Sequence, residues 1–152
     1  MFCTIILYTI QIMNDRLKLE NQLCFPLYAC AKEVIRRYTP LLEPFGLTYT
    51  QYIAMMVLWE HRSITIRDMG RLLFLDSGTL TPLLKKMEKS GWLTRSRQTE
   101  DERVVVISLT EKGEQLQEQL SEVPIKMAQC VKLEQQEAMQ LYELLNKMMT
   151  TF

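Results

Sequence analysis

The sequence predicts a mainly α-helical fold that contains one small β-hairpin. Of the 152 residues, 47% are hydrophobic and 24% charged, which is enough apolar material for a buried core. Only 5 glycines and 5 prolines interrupt the chain, so long helices with few connections are expected. The helical spacing of apolar residues is interrupted by short β-rich runs, and this change of period indicates the hairpin.

The first predicted helix precedes Thr39-Pro40. Apolar residues recur at helical spacing over residues 20–38, and the proline is expected to end this helix. Pro26 lies near the beginning, where a missing N–H costs little, so the regular helix is expected to start close to Cys24.

Two further helices follow. A short one over residues 41–45 is expected to end at Gly46, and Thr48 to cap the next, over residues 49–61. Four apolar residues of the latter are expected to face the core: Ile53, Met56, Val57 and Leu58.

A pair of short helices and a hairpin come next. Thr65 is a suitable N-cap for residues 66–73, and Asp76 or Ser77 for a helix that ends at Gly91. The β-rich runs at residues 92–95 and 104–109 then flank a charged tip, residues 98–103. Helix, turn, helix and two-stranded hairpin is the order of a winged helix-turn-helix.

The C-terminal section, from Thr110, is predicted to be helical with a break at Pro124. Its apolar stripe is either internal core or a surface on which the terminal helices of two chains pack. The winged domain is too small to cover so much apolar helix surface, which favours a dimer. The stripe consists of Leu116, Leu120, Val123, Leu141, Leu144, Leu145 and Met148.

Charge is distributed unevenly although the formal net charge is zero. Residues 79–97 carry five basic residues against one acid, Glu88, a net charge of +4, whereas residues 111–152 carry four lysines and seven glutamates, a net charge of −3. A basic segment beside an acidic one is typical of a module that meets phosphates with one part only.

The four cysteines do not form a disulfide framework or a zinc site in this interpretation. The chain has no C-x-x-C pair and a single histidine, so we expect no metal, no cofactor and reduced thiols in a cytoplasm. The apolar residues 1–12, which include Cys3, lack a basic n-region and are too short to span a bilayer, so no membrane partner is expected. They are either a dispensable extension or an arm that packs on a partner subunit.

Several stretches resemble one family. LTEKG at residues 109–113, DER at 101–103 and DSGTLTPLLKKMEKSGWLTR at 76–95 are similar to the MarR family of winged-helix regulators. LENQLCF and the residues after it, to position 52, resemble its organic hydroperoxide resistance regulators, with Pro26 as a departure.

This resemblance covers nearly all of residues 19–110 and implies one MarR-type domain over residues 13–152. Dimerisation helices would lie at about residues 13–45 and 111–152, and the winged helix-turn-helix at about 48–110.

The expected DNA-binding residues lie on the second helix of the pair and on the hairpin. Small polar residues at the start of that helix allow close approach to a duplex, and later cations meet phosphates. The resemblance further implies that Asp101 holds Arg103 for insertion into the minor groove. The predicted set is Ser77, Gly78, Thr79, Thr81, Pro82, Lys85, Lys86, Arg95, Arg97, Asp101 and Arg103.

Cys24 is the candidate redox sensor. At the positive end of a helix dipole its thiolate would be stabilised. The resemblance implies that Tyr28, Tyr38 and Tyr49 hydrogen-bond the sulfur. Cys130 is either a resolving cysteine for the partner subunit or a packing residue in a buried helix, and Cys30, about 240° around the helix from Cys24, is interpreted as packing.

The leading hypothesis is a homodimeric repressor of double-stranded operator DNA that releases the operator when an organic hydroperoxide oxidises Cys24. A MarR-type repressor released by a phenolic or aromatic ligand is the alternative. A thiol peroxidase is disfavoured, since the sequence offers no catalytic base constellation, and the protein is therefore expected not to be an enzyme.

Overall fold

The computed structural model describes residues 15–152, which fall into two compact units, one ending at Tyr49 and one beginning at Thr50. The expectations for residues 1–12, including Cys3, lie outside the described residues. No helix over residues 15–152 combines the length and apolar composition needed to cross a membrane.

The first unit is built on helix α1 (Cys24–Leu42), which follows a 3-10 turn at Leu19–Asn21. The expectation that this helix stops at Thr39-Pro40 is wrong, because Pro40 lies inside α1. Pro40 is exposed, so water can hydrate the carbonyl that lacks its donor, and the Thr39 hydroxyl donates to the Ile35 carbonyl at 3.3 Å.

The short helix expected at residues 41–45 is confirmed at its end but not at its start. Leu41 and Leu42 complete α1, and a 3-10 turn (Glu43–Phe45) follows. Gly46 ends that turn with φ of 69°, as expected of a glycine at a helix end.

The second unit contains the predicted winged helix-turn-helix. Its three strands, Ser63–Thr65 (β1), Leu93–Arg97 (β2) and Val105–Leu109 (β3), form an antiparallel sheet in the order β1-β3-β2, which confirms the predicted hairpin of β2 and β3. Strand β1 is an addition, because a run of three residues is too short to show a periodic pattern in the sequence. From Tyr49 onward the elements are α2 (Tyr49–His61), β1 (Ser63–Thr65), α3 (Ile66–Leu73), α4 (Ser77–Lys89), β2 (Leu93–Arg97), β3 (Val105–Leu109), α5 (Glu111–Gln119), α6 (Val123–Ala128) and α7 (Gln135–Met149).

Side-chain caps start three of these helices. The Thr65 hydroxyl accepts from the Asp68 amide at 3.0 Å, the Asp76 carboxylate from the Thr79 amide at 2.9 Å, and the Thr110 hydroxyl from the Gly113 amide at 3.1 Å. Thr65 and Asp76 are caps that the sequence predicts.

The core of this unit contains the fully buried side chains Met55, Leu58, Met69, Leu80, Leu84, Met87 and Ile107. Of the four residues of α2 expected in the core, only Leu58 is buried, and Met56 is 46% exposed. Because α2 is apolar on nearly every side, its pattern could not select the buried face, which consists of Gln51, Tyr52, Ala54, Met55 and Leu58.

The C-terminal helices differ from the expectation at Pro124. The chain leaves helix α5 after Gln119, and Pro124 lies in the first turn of α6, so this proline begins a helix instead of breaking one. Helix α7 has no buried residue in the single chain, and Tyr142 and Leu144 are 70% and 65% exposed.

Candidate nucleic-acid interface and cysteine site

Helix α4 separates its apolar and polar residues cleanly. Leu80, Leu84 and Met87 are fully buried. The exposed residues include most of the predicted DNA-binding set of this helix, together with Lys89: Ser77, Gly78, Thr79, Pro82, Lys85, Lys86 and Lys89. A helix with this exposed face fits the width of a major groove, with small residues first and cations later.

The first turn of α4 is held by Asp76. Its two carboxylate oxygens accept from the amide and from the hydroxyl of Thr79, both at 2.9 Å, and these hydrogen bonds lower the pKa of Asp76. Thr81, half-buried, donates its hydroxyl to the Ser77 carbonyl at 2.6 Å. The hydroxyls of Thr79 and Thr81 are thus already engaged within the helix, while Ser77 and Gly78 face outward.

The turn between α3 and α4 depends on Gly70, which the sequence reasoning missed. A Cβ at this position would lie 2.6 Å from the Leu75 carbonyl oxygen and 3.3 Å from a methyl of Leu80. The two helices can approach this closely only because residue 70 has no side chain, and the spacing of Gly70 before the predicted cap Asp76 is the signal that could have revealed it.

The hairpin tip carries a preformed arginine fork. The Arg103 guanidinium donates to both carboxylate oxygens of Asp101, at 3.0 and 3.3 Å, and its backbone amide donates to the same carboxylate at 3.0 Å. The Arg103 side chain is nevertheless 91% exposed. The bonds from Arg103 hold the pKa of Asp101 below its ordinary value, so the carboxylate stays ionised and keeps the guanidinium oriented toward solvent.

An open groove of about 950 Å³ lies between α3, the start of α4 and the hairpin. Arg103 lines one wall, and two cations of α3, Arg67 and Arg71, line another. Both are exposed, and Arg71 pairs with Asp68 at 3.3 Å. The sequence reasoning did not select these arginines, although cations on the helix before a basic one are the signal that could have found them.

The two remaining predicted cations lie on β2 and differ in exposure and in pairing. Arg97 is exposed near the tip of the hairpin. Arg95 is half-buried, and its Nε donates to the Glu88 carboxylate of α4 at 2.8 Å. The charge of Arg95 is therefore already paired within the chain.

Cys24 is the first residue of α1 and is exposed. This is the position that the sequence predicts for it, at the N-terminal end of the helix dipole. Tyr28, one turn later, is 62% exposed, and the Lys32 ammonium lies 5.9 Å from its ring centroid. Cys24, Tyr28 and Lys32 therefore form a stripe along one face of the helix.

Tyr38 and Tyr49 form a second group. Their ring centroids are 4.8 Å apart with an interplanar angle of 46°, and both residues are half-buried. Burial and the neighbouring phenol of Tyr49 raise the pKa of Tyr38, which keeps its hydroxyl protonated and able to donate.

Within one chain the tyrosine pair cannot reach the sulfur. Cys24 and Tyr38 are 14 residues apart in the same helix, which at the helical rise is about 21 Å along the axis. A tyrosine side chain and a hydrogen bond cannot span that distance. Of the three predicted tyrosines, only Tyr28 is near Cys24 in the single chain.

Cys130 is exposed and follows the end of α6, so the alternative of packing in a buried helix does not describe it in this chain. Its thiol donates to the Lys126 carbonyl at 3.4 Å. Cys30, expected to pack, is exposed as well. Over residues 15–152 no three His, Cys, Asp or Glu side chains are grouped as metal ligands.

Residues 36–120 match the family model of the SarA/Rot transcriptional regulators. Over 110 residues the chain is 54% identical to the organic hydroperoxide resistance transcriptional regulator of Bacillus subtilis strain 168, covering 72% of this chain and 75% of that protein.

Two solved structures of AbfR, a protein of Staphylococcus epidermidis, are similar to this chain at 36% identity. Reduced AbfR bound to DNA matches with a TM-score of 0.76 and covers 93% of this chain and 98% of that one. Disulfide-formed AbfR matches with a TM-score of 0.66 and covers 93% of this chain and 96% of that one.

Proposed function

Because this chain belongs to the MarR family of winged-helix transcriptional regulators, of the SarA/Rot type and within the organic hydroperoxide resistance group, we propose that it is a peroxide-sensing repressor. As a homodimer in the cytoplasm it binds operator DNA while Cys24 is reduced, and releases it when an organic hydroperoxide oxidises that thiol. Its relatives are regulators of transcription rather than enzymes, and it holds no cofactor in this proposal.

The observation that carries the proposal is the separation of Cys24 from the Tyr38–Tyr49 pair along α1. An exposed thiol at one end of a helix and a pair of phenols about 21 Å away come together if a second copy of the helix runs antiparallel to the first. The sensor is then shared between subunits, with Cys24 and Tyr28 from one and the tyrosine pair from the other.

Exposed apolar side chains support the dimer. Helix α7 buries nothing within its own chain, and Leu23 and Phe25, which flank Cys24, are 72% and 41% exposed. Apolar surface of this extent at both ends of a chain is typical of a subunit interface.

The chemistry starts at the Cys24 sulfur. The thiolate attacks the terminal oxygen of the hydroperoxide, the O–O bond breaks, and the sulfur becomes a sulfenic acid. The second oxygen leaves as an alkoxide, which takes a proton from water and becomes the alcohol. A thiol can then displace water from it to form a disulfide, and the exposed Cys130 of the partner subunit is the proposed thiol. Oxidation removes the thiolate that the phenols bind, which shifts the two subunits and the spacing of their α4 helices.

The DNA-binding proposal assigns the major groove to the exposed face of α4 and the minor groove to the hairpin. Arg103, held by Asp101, enters the narrow groove, whose concentrated negative potential attracts a guanidinium. The cations Lys85, Lys86 and Arg97 meet phosphates, which makes binding strongly salt-dependent.

The proposal is tested by titrating the protein–operator complex with cumene hydroperoxide while the intact mass of the protein is recorded. We expect DNA release to follow the gain of one oxygen per chain or the formation of a disulfide-linked dimer. Release by a phenolic ligand with no change of mass would instead support the alternative, a ligand-controlled repressor.

Replacing Arg103 is expected to weaken operator binding without unfolding the protein, since its side chain is 91% exposed. Arg103→Ala should raise the operator Kd by about tenfold, in line with the roughly 1–3 kcal/mol of a good groove contact. Electrophoretic mobility shift at fixed salt measures this, and Glu102→Ala, which removes an exposed charge of opposite sign beside Arg103, is the control that should not weaken binding. An unchanged Kd would remove Arg103 from the interface.

A further inference from the structure

The least exposed ion pair over residues 15–152 joins helix α4 to the wing, which is the hairpin formed by β2 and β3. Glu88, in the last turns of α4, accepts from the Arg95 backbone amide at 3.1 Å and from its Nε at 2.8 Å. Their side chains are 35% and 23% exposed, against 53% and 57% for Glu114 and Arg62, an ion pair elsewhere in this unit.

Glu88 occupies a position that is unfavourable for an isolated acid. It is the single acid in the basic segment of residues 79–97, where a negative charge repels phosphate. It also lies near the C-terminal end of a helix, where the helix dipole disfavours a negative charge. The pairing with Arg95 offsets both effects.

Glu88 also binds one backbone amide at the edge of the sheet. In the order β1-β3-β2, strand β2 is an edge strand, and the Arg95 amide points away from β3 toward α4. One carboxylate thereby binds the backbone and the side chain of a wing residue at once. These two bonds fix the base of the wing relative to the helix, across a connection of only three residues, Ser90 to Trp92.

We propose that Glu88 and Arg95 are positioning residues for operator binding, which set the angle between α4 and the wing so that both reach their grooves together. Arg95 then does not contact phosphate, in contrast to the role expected from the sequence. This inference rests on the proposed binding of operator DNA by α4 and the wing.

A surface acid and a positioning residue predict opposite changes in operator affinity for Glu88→Gln. Removing a repulsive charge should tighten DNA binding if Glu88 were only a surface acid. A positioning role instead predicts weaker operator binding, by about tenfold, since bonded pairs of this kind typically show coupling of about that size. Arg95→Gln should weaken binding by the same factor, and the double variant by no more than either single one.

The probe is a duplex selected from a random library by the wild-type protein, with a scrambled duplex of the same composition for non-specific affinity. Affinity for the scrambled duplex depends on charge, so Glu88→Gln should keep or raise it, and we expect the variant to lose affinity only for the selected duplex. Glu114→Gln, which breaks the more exposed Arg62–Glu114 pair and removes the same charge, is the matched control and should weaken binding to neither duplex.

Tighter or unchanged binding of the selected duplex by Glu88→Gln would overturn the inference. So would additive losses in the double variant, because these would show that Arg95 contacts DNA independently. If Glu88→Gln loses both affinities through unfolding, Arg95→Lys decides: it keeps the charge without the guanidinium geometry, and wild-type affinity for the selected duplex would contradict the positioning role. Failure of the wild-type protein to select any duplex would instead refute the proposed function.

Discussion

Cys24→Ser should bind operator DNA with an affinity close to that of the wild-type protein and remain bound at hydroperoxide concentrations that fully release the wild type. Serine is nearly isosteric with cysteine, and residue 24 is exposed, so the substitution leaves the fold intact. Its hydroxyl cannot form a sulfenic acid, so the first step of the proposed switch is lost completely.

The measurement is fluorescence anisotropy of a labelled operator during titration with cumene hydroperoxide. Cys30→Ser is the matched control, because Cys30 is an exposed thiol of the same helix that faces elsewhere, and it should respond as the wild type does. Release of the operator from Cys24→Ser at wild-type hydroperoxide concentrations would refute the sensing role of Cys24.

The same titration on non-reducing gels separates a one-cysteine switch from a two-cysteine switch. A cross-linked dimer that disappears in Cys24→Ser and in Cys130→Ser, and persists in Cys30→Ser, would support Cys130 as the resolving thiol. The exposure of Cys130 after the end of α6 allows this chemistry without unfolding a helix. Release of DNA without any cross-link would make Cys130 dispensable.

The sequence predicts those parts of the fold that local chemistry determines. Thr65 and Asp76 can be predicted as caps because a hydroxyl or carboxylate oxygen just before an apolar helical pattern can accept a hydrogen bond from an amide of the first turn. The hairpin is visible because the period of the apolar residues changes. The expectations for Pro40 and Pro124 are wrong because a proline removes one backbone hydrogen-bond donor, which does not by itself end a helix. Whether a proline lies inside a helix or begins one depends on its exposure and on the neighbouring turn.

The sequence predicts the candidate site less completely than it predicts the fold. Residue type alone presents Arg95 as one more cation of a basic segment, and only the fold shows its half-buried bond to Glu88. Gly70 and Gly113 are required for the same reason. A Cβ on the first would contact the carbonyl of Leu75, in the turn after α3, and one on the second the carbonyl of Trp92, just before β2. Tertiary proximity of this kind leaves no periodic trace in the chain.

The separation between Cys24 and Tyr38 shows a second point that the sequence alone does not determine. A resemblance can identify both residues as parts of one sensor, but it does not say which chain provides each. The length of α1 supplies that information, because 19 residues of helix cannot fold back on themselves. In the proposed sensor the tyrosine pair must therefore come from a second copy of the chain, so the proposed dimer would take part in the redox chemistry as well as in DNA binding.

The largest effect on DNA affinity is expected from charges placed on helix α7. Leu141 and Leu144 are 45% and 65% exposed in the single chain and lie on one side of the helix. The double substitution Leu141→Asp with Leu144→Asp would bury four carboxylates in a dimer interface, and burial of unpaired charge is costly enough to separate the subunits. A monomer binds one half-site and loses the avidity of the second, so operator affinity should fall by about 10²–10⁴-fold.

Analytical ultracentrifugation gives the oligomeric state, and circular dichroism the helix content. We expect a monomer that keeps the winged domain, because α7 contributes no buried residue to its own chain. Gln136→Asp places the same charge at an exposed polar position in the first turn of this helix, where the dipole tolerates it, and should leave both the dimer and the affinity unchanged. A doubly substituted protein that remains dimeric and binds operator normally would exclude this face of α7 from the interface, and the subunits would then have to meet through α1 alone.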